Sequence, residues 1–423
     1  MIAKRRVLRF VFGFIVMLAL TMVRAVPPVQ AQAASWFVSP TGSGTDCTQA
    51  NPCLPATAFG KGTHGDTIYF QGGTYTNTQP IPAIAAGFSF LGGWDGTDGA
   101  LVVDPAAYPT IIDGEGTVRP FYINVTTADP VVIKGFTIRN GAGGGSDGGA
   151  IYVDDGIVTI ENNSFEDNTA QDGGAIGASS DDAVVIHGNT FTRNLADTNR
   201  YGGAISLISS ADVTISGNTF TDNSAQYGAA IHSLSSGSAV FQNFFLNSQG
   251  SSVVAVVSHG TANMAFYSNI IAHAPFGLGI GDGIVFGGGN TVSHTVTGNT
   301  IYNVDIGIGV DTGATVEIVN NIVVNTEKSI DVASATINGW NNLLFDNALD
   351  PYPLANPVYG DPLFVDAASN DFHIRQGSAA QDTGYIVSIL KDFDGDDRPM
   401  GWGHEIGADE IPFLLYQPML LRD

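Results

Sequence analysis

The sequence predicts an all-β solenoid, a parallel β-helix with three short strands per coil. The first observation is a phrase of apolar, two residues, Asn, one residue, apolar. It reads Ile160–Asn163–Phe165, Ile186–Asn189–Phe191, Ile215–Asn218–Phe220, Val240–Asn243–Phe245, Phe266–Asn269–Ile271, Val296–Asn299–Ile301 and Ile318–Asn321–Val323. Its Asn positions step by 26, 29, 25, 26, 30 and 22 residues, and self-similarity at such a period marks a repeat architecture. The second is another apolar beat, Gly-Gly-Ala-Ile, at Gly148–Ile151, Gly173–Ile176 and Gly202–Ile205, with the variant Gly228-Ala-Ala-Ile231. The third is that no helix-length amphipathic stretch exists, which excludes a helical solenoid.

Each phrase holds two inward apolar residues on either side of a tight corner. We place Asn at the corner because it best tolerates a left-handed backbone after glycine. A third beat, such as Val158-Thr-Ile160 or Val213-Thr-Ile215, leads into the next phrase. Three alternating strands per coil make a triangular solenoid with one face of each sheet buried. About nine coils at ~4.8 Å each fill residues 131–345. A propeller would need four strands and ~40 residues per repeat.

Upstream, Trp36-Phe-Val, Thr67-Ile-Tyr-Phe70, Phe88-Ser-Phe-Leu91 and Thr110-Ile-Ile-Asp113 read as shorter strands between Gly, Pro and Asp-Gly turn signals. The expected organisation is a signal peptide over 1–33, an N-terminal cap and first coils over 34–130, regular coils over 131–345, a small C-terminal β module over 346–410 and an apolar tail over 411–423. The signal peptide rests on basic Lys4, Arg5, Arg6 and Arg9, the apolar run Phe10–Val23 and small residues at Ala31-Gln32-Ala33. The run is too short for a comfortable membrane span, so the chain is expected to be exported, extracellular or at the cell surface. In that compartment the only cysteines, Cys47 and Cys53, read as a disulfide.

Without residues 1–35 the chain keeps 11 basic and 40 acidic residues, a net of −29. Such a surface repels nucleic acid and other polyanions and attracts divalent cations. It also weighs against a pectate- or alginate-cleaving groove, which would be locally basic.

The run Asn163-Ser-Phe-Glu-Asp-Asn-Thr-Ala-Gln-Asp-Gly-Gly-Ala-Ile176 and its copies from Asn189 and Asn218 resemble the repeats of polymorphic outer-membrane proteins. That family forms surface β-helices and implies an adhesive role. The wider class the chain resembles is the pectin-lyase-like right-handed parallel β-helix, which also carries an Asn ladder at one corner. Gly360-Asp-Pro-Leu-Phe-Val-Asp366, Asp371-Phe-His-Ile374, Gly377-Ser-Ala-Ala380, Asp392-Phe-Asp-Gly-Asp-Asp-Arg-Pro399 and Glu405-Ile-Gly-Ala-Asp-Glu410 resemble the choice-of-anchor module of bacterial surface β-helix proteins. Autotransporters end in a membrane barrel of a few hundred residues; 13 residues follow Glu410 here, so export through a barrel of its own is not expected. The tail reads as an attachment signal or as a last packed strand.

Aligning the coils places Tyr152, Gly177, Ser206 and His232 after the Gly-Gly-Ala-Ile beat, and Asp147, Asp172, Tyr201 and Tyr227 before it. Arg200, Tyr201, Tyr227 and His232 form either a sugar platform or a stack of rings packed on one another. No column carries the cluster of carboxylates plus a base that elimination or hydrolysis would need. Asp154-Asp155 and Asp181-Asp182 follow the same strand in consecutive coils, either solvated or bridged by calcium. Asp392, Asp394 and Asp396 alternate as calcium ligands do, although the Gly is misplaced for an EF-hand loop and position 403 is Gly. His404 and Glu405 are read as structural partners of Arg398. The motifs of nucleotide, zinc-protease and serine-hydrolase sites are missing.

The functional expectation is an exported β-helix that binds or displays toward glycans or other cell-surface material, with calcium its one candidate cofactor. A polysaccharide lyase or epimerase using the β-helix groove is the alternative, and a structural envelope component the third reading. Fold alone does not choose among them.

Overall fold

Inward apolar residues on short strands can be buried only by stacking coil upon coil, and the computed structural model shows that stack. It describes residues 33–412 except 78–80, 209–211, 235–236, 257–263, 274–280, 288–292 and 350–351. The expected signal peptide and apolar tail lie outside the described residues except for Ala33, Ile411 and Pro412. No described helix is long and apolar enough to cross a membrane.

Three parallel sheets run the length of the solenoid, with 12, 12 and nine strands. The first runs from Ser35–Val38 to Thr336–Trp340, the second from Gly73–Tyr75 to Val358–Tyr359, and the third from Phe121–Asn124 to Lys328–Val332. Registers are in phase from coil to coil: Ile133, Ile160, Ile186 and Ile215 align in the first sheet, and Ile138, Phe165, Phe191 and Phe220 in the second. The chain is a right-handed three-sheet parallel β-helix, the hand that crossovers between parallel strands almost always take. Inside it Phe165, Phe191, Phe220 and Phe245 stack with centroids 4.8, 4.7 and 4.7 Å apart. Each buried ring contributes about 1.5–3 kcal/mol from burial alone.

The corner between first and second sheets differs from expectation in one detail. The left-handed residue is the one before each repeating Asn: Asn162, Gly188, Gly217, Gln242, Ser268, Gly298 and Asn320, with φ between 52° and 65°. That residue turns the chain and varies. The repeating Asn points its side chain inward, where it must donate and accept along the axis, and so stays Asn. Each Oδ1 accepts the backbone and side-chain amides of the rung before it, and each Nδ2 donates to a carbonyl one coil back, as Asn218 does to Ile186 at 2.9 Å. Asn342 adds an eighth rung. Gly339 stands where the phrase requires an apolar residue, which hides that copy. A second ladder, Asn168–Asn194–Asn223, lines the next corner; Asn168 bonds Asn194 at 2.9 Å and Asn194 bonds Asn223 at 3.0 Å.

At the N-terminal end Cys47 and Cys53 are disulfide-bonded and buried. The helix Pro55–Lys61 follows, where the sequence reading has only strand and loop. Its seven residues are too few to show a helical period, and proline at its start is its one local signal. Phe59 on that helix packs against Phe88 and Phe90, with centroids 5.8 and 5.3 Å away.

The C-terminal residues fold back along the outer face of the second sheet. Outward side chains there change from Ser164, Glu166, Thr190 and Thr219 to Phe244, Leu246, Ile270, Tyr302, Ile322 and Val324. This apolar stripe is covered by Phe364, Phe372, Ile374, Ala380, Ile406 and Ala408. The covering segment contains one antiparallel pair, Phe364–Asp366 with Asp371–Ile374. Arg398, buried within it, pairs with Glu410 at 3.1 Å; Glu405 offers it a backbone carbonyl.

Candidate functional site

The outward column Tyr152, Gly177, Ser206 and His232 is in register on the third sheet, as aligned from sequence. The loops before it lay their side chains over this column. Tyr201 and Tyr227 stack with centroids 5.2 Å apart, and Tyr201 lies 4.4 Å from the His232 ring. Arg200 is held by Asp172 at 3.0 Å. His232 is 2% exposed and neither ring nitrogen has a hydrogen-bond partner among the described residues; burial pulls its pKa down to about 4. The four predicted residues are therefore brought together as a packed ring stack, with Tyr227 alone presenting an open face, 43% exposed.

The predicted acidic positions disperse. Asp154 accepts from the Tyr122 hydroxyl and the Asn124 side chain, both at 2.7 Å. Asp155, Asp181 and Asp182 join no group of three metal-donor side chains among the described residues. Asp392 turns inward, its Oδ1 accepting the amides of Asp394 and Asp396 and its Oδ2 that of Glu410. With both oxygens so engaged it shapes the turn, and Asp394 and Asp396 are not drawn to it. Asp394 instead reaches His373, whose other nitrogen meets Asp371.

One carboxylate group was not anticipated. Asp282, Asp305 and Glu327 stand before the third-sheet beat in three consecutive coils, beside the ion pair Lys328–Asp331 at 3.1 Å. Burial, then the charges of Asp305, Asp331 and Asp311, push Asp282 up to about 7. Burial and the neighbouring Glu327 raise Asp305 as well. Here carboxylates stand beside an amine, the Lys328 Nζ. The signal was present as an acid two or three residues before Ile284, Ile308 and Ile330, and register made it visible.

A cavity on the first sheet also lay outside the motifs read from sequence. It is a groove of ≈ 650 Å³ between the outer face of the first sheet and residues 385–391. Phe241 and Tyr267 stack at 4.7 Å, and Trp340 meets Tyr385 edge-on at 5.7 Å. Between Tyr267 and Trp340 in the same column stand Thr297 and Val319. Three coil spacings separate the aromatic ends, about 14 Å, so the two smaller residues floor a notch with a ring at either end. Gln242, Thr295, Glu317 and Lys391 supply polar groups at its margin. An apolar concavity with a few polar groups is the common form of a small-ligand site.

The family model for right-handed β-helix regions matches residues 121–291. Among curated proteins none matches the chain by sequence. The crystal structure of pectate lyase Pel9A is similar with a TM-score of 0.57 and 15% identity, over 89% of this chain and 96% of that one. XylC in complex with xylose gives a TM-score of 0.48 and 9% identity, over 90% and 98%. A mannuronic-acid-specific polysaccharide family 6 lyase from human gut microbiota gives 0.42 and 14%, over 80% and 88%. The likeness to the pectate lyase structure shows a pectate-lyase-like fold, and at 15% identity it is a likeness of fold alone.

Proposed function

We propose that this protein is an exported, surface-associated β-helix that binds glycans, with the notch between Tyr267 and Trp340 as its saccharide site. The notch is the observation that carries the reading: aromatic rings about 14 Å apart above a floor of small residues suit the apolar faces of one or two sugar rings. Glu317 at its edge and a formal charge of −24 favour a neutral saccharide over a polyuronate. The basic and apolar N-terminus and the anchor-like motifs between Gly360 and Glu410 support the surface location. Calorimetric titration with neutral oligosaccharides tests the site. Tyr267→Ala and Trp340→Ala should each weaken binding about tenfold or more, in keeping with ~1–2 kcal/mol for a lost ring contact. Binding unchanged in both variants would reject it.

The second reading, a polysaccharide lyase or epimerase, is favoured by Asp282, Asp305 and Glu327 beside Lys328, and by the fold shared with a protein named as a pectate lyase. Formation of unsaturated product from a polyuronate panel, lost in Lys328→Ala, would establish it. Absence of both binding and turnover would leave the architectural reading.

A further inference from the structure

We propose that His373, Asp394 and Asp409 form a binding site for a divalent transition-metal ion of the zinc class. Three separate stretches of the C-terminal segment contribute: the strand Asp371–Ile374, the turn after Asp392, and the run ending at Glu410. One donor atom from each of the three side chains lies within 4.8 Å of the others, close enough for one ion to be shared by all.

The imidazole is oriented as a metal ligand would be. Its Nε2 faces Asp394 Oδ2 at 2.9 Å while Nδ1 is bonded to the Asp371 carboxylate. An ion entering between His373 and Asp394 takes the place of the Nε2 proton, which leaves to solvent. Nδ1–H remains on Asp371, giving the carboxylate–imidazole–metal relay that fixes tautomer and ring angle in metal sites.

A second observation concerns Asp409. Its side chain is only 8% exposed, and the one hydrogen bond it receives among the described residues is from the Ile374 amide to Oδ2, at 2.7 Å. A largely buried carboxylate is stabilised by a cation close to it, and that side chain belongs to the same 4.8 Å group. A nitrogen donor among the ligands favours zinc-like ions over calcium, which takes oxygens. The ion would tie all three stretches together over the second sheet.

The test uses the whole exported chain, stripped with chelator and titrated calorimetrically with zinc chloride, then with calcium chloride. Zinc should bind once per chain and more tightly than calcium, and should raise the melting temperature. His373→Gln alters an exposed side chain and should weaken zinc at least tenfold. Asp371→Asn, which touches no ion, should weaken it 10- to 100-fold, the range found for such outer partners. No zinc binding, equal zinc binding in His373→Gln, or calcium binding tighter than zinc would each overturn the proposal.

Discussion

Asn189 is bonded twice to Asn218: the Asn218 Oδ1 accepts its backbone amide at 2.8 Å and its side-chain amide at 3.0 Å. The same doubled contact joins every rung from Asn163 to Asn342. It satisfies buried corner amides that no strand partner could reach.

Asn218→Ala removes two acceptor contacts and leaves the Asn189 backbone amide unpaired inside the solenoid, while the Asn189 side-chain amide keeps the Ile160 and His187 carbonyls. It should cost roughly 1–3 kcal/mol, the penalty of a buried unsatisfied group. Urea unfolding should show a lower midpoint, while saccharide titration of the folded variant at 20 °C should be unchanged. Loss of binding in a stably folded variant would contradict a purely structural ladder.

Arg398→Met leaves Glu410 buried without its counter-charge. A loss of about 3–5 kcal/mol is expected, as for breaking one side of a buried pair. The double variant Arg398→Met/Glu410→Gln should recover part of it. An additive pair of losses in a double-mutant cycle would show that the two side chains are not coupled.

Two groups give opposite dependences on pH. His232 stays neutral in the fold down to about 4 through burial, whereas the unfolded chain takes up that proton near pH ~6.5. Its contribution is therefore lost as pH falls from about 6.5 to 4. Asp282, raised to about 7 by burial and then by nearby carboxylates, ionises in the unfolded chain first. Stability then falls as pH rises from about 4 to 7. Melting temperatures of His232→Phe and Asp282→Asn, compared with the parent across pH 4–8, should differ from it most at opposite ends of that range.

Deleting residues 346–423 bares Phe244, Ile270, Tyr302 and Ile322. A continuous apolar stripe of that kind promotes association. The shortened protein should bind a hydrophobic dye and leave the monomer peak in size exclusion. A soluble, dye-negative monomer would show that the covering segment is dispensable.

The coils were legible because one requirement repeats with each turn: inward apolar residues at period two and a corner amide at every coil. The second Asn ladder was visible as Phe-x-x-Asn, yet without coordinates its amides could equally have faced water. The change from Thr190 and Thr219 to Phe244 and Ile270 was also written in the chain. Taken alone, outward phenylalanine does not say which later residues cover it.

The sequence by itself determined the strand faces, the coil boundaries and the three-sheet parallel β-helix, since these follow from near-neighbour spacing and turn chemistry. Only the tertiary structure decided that Tyr201 packs on His232, that Thr297 and Val319 floor a notch between distant rings, and that His373 meets Asp394 and Asp409. Those groupings join residues one to three coils apart, or on separate stretches of the C-terminal segment. Their proximity depends on register and on how the C-terminal segment folds back, which no local pattern encodes.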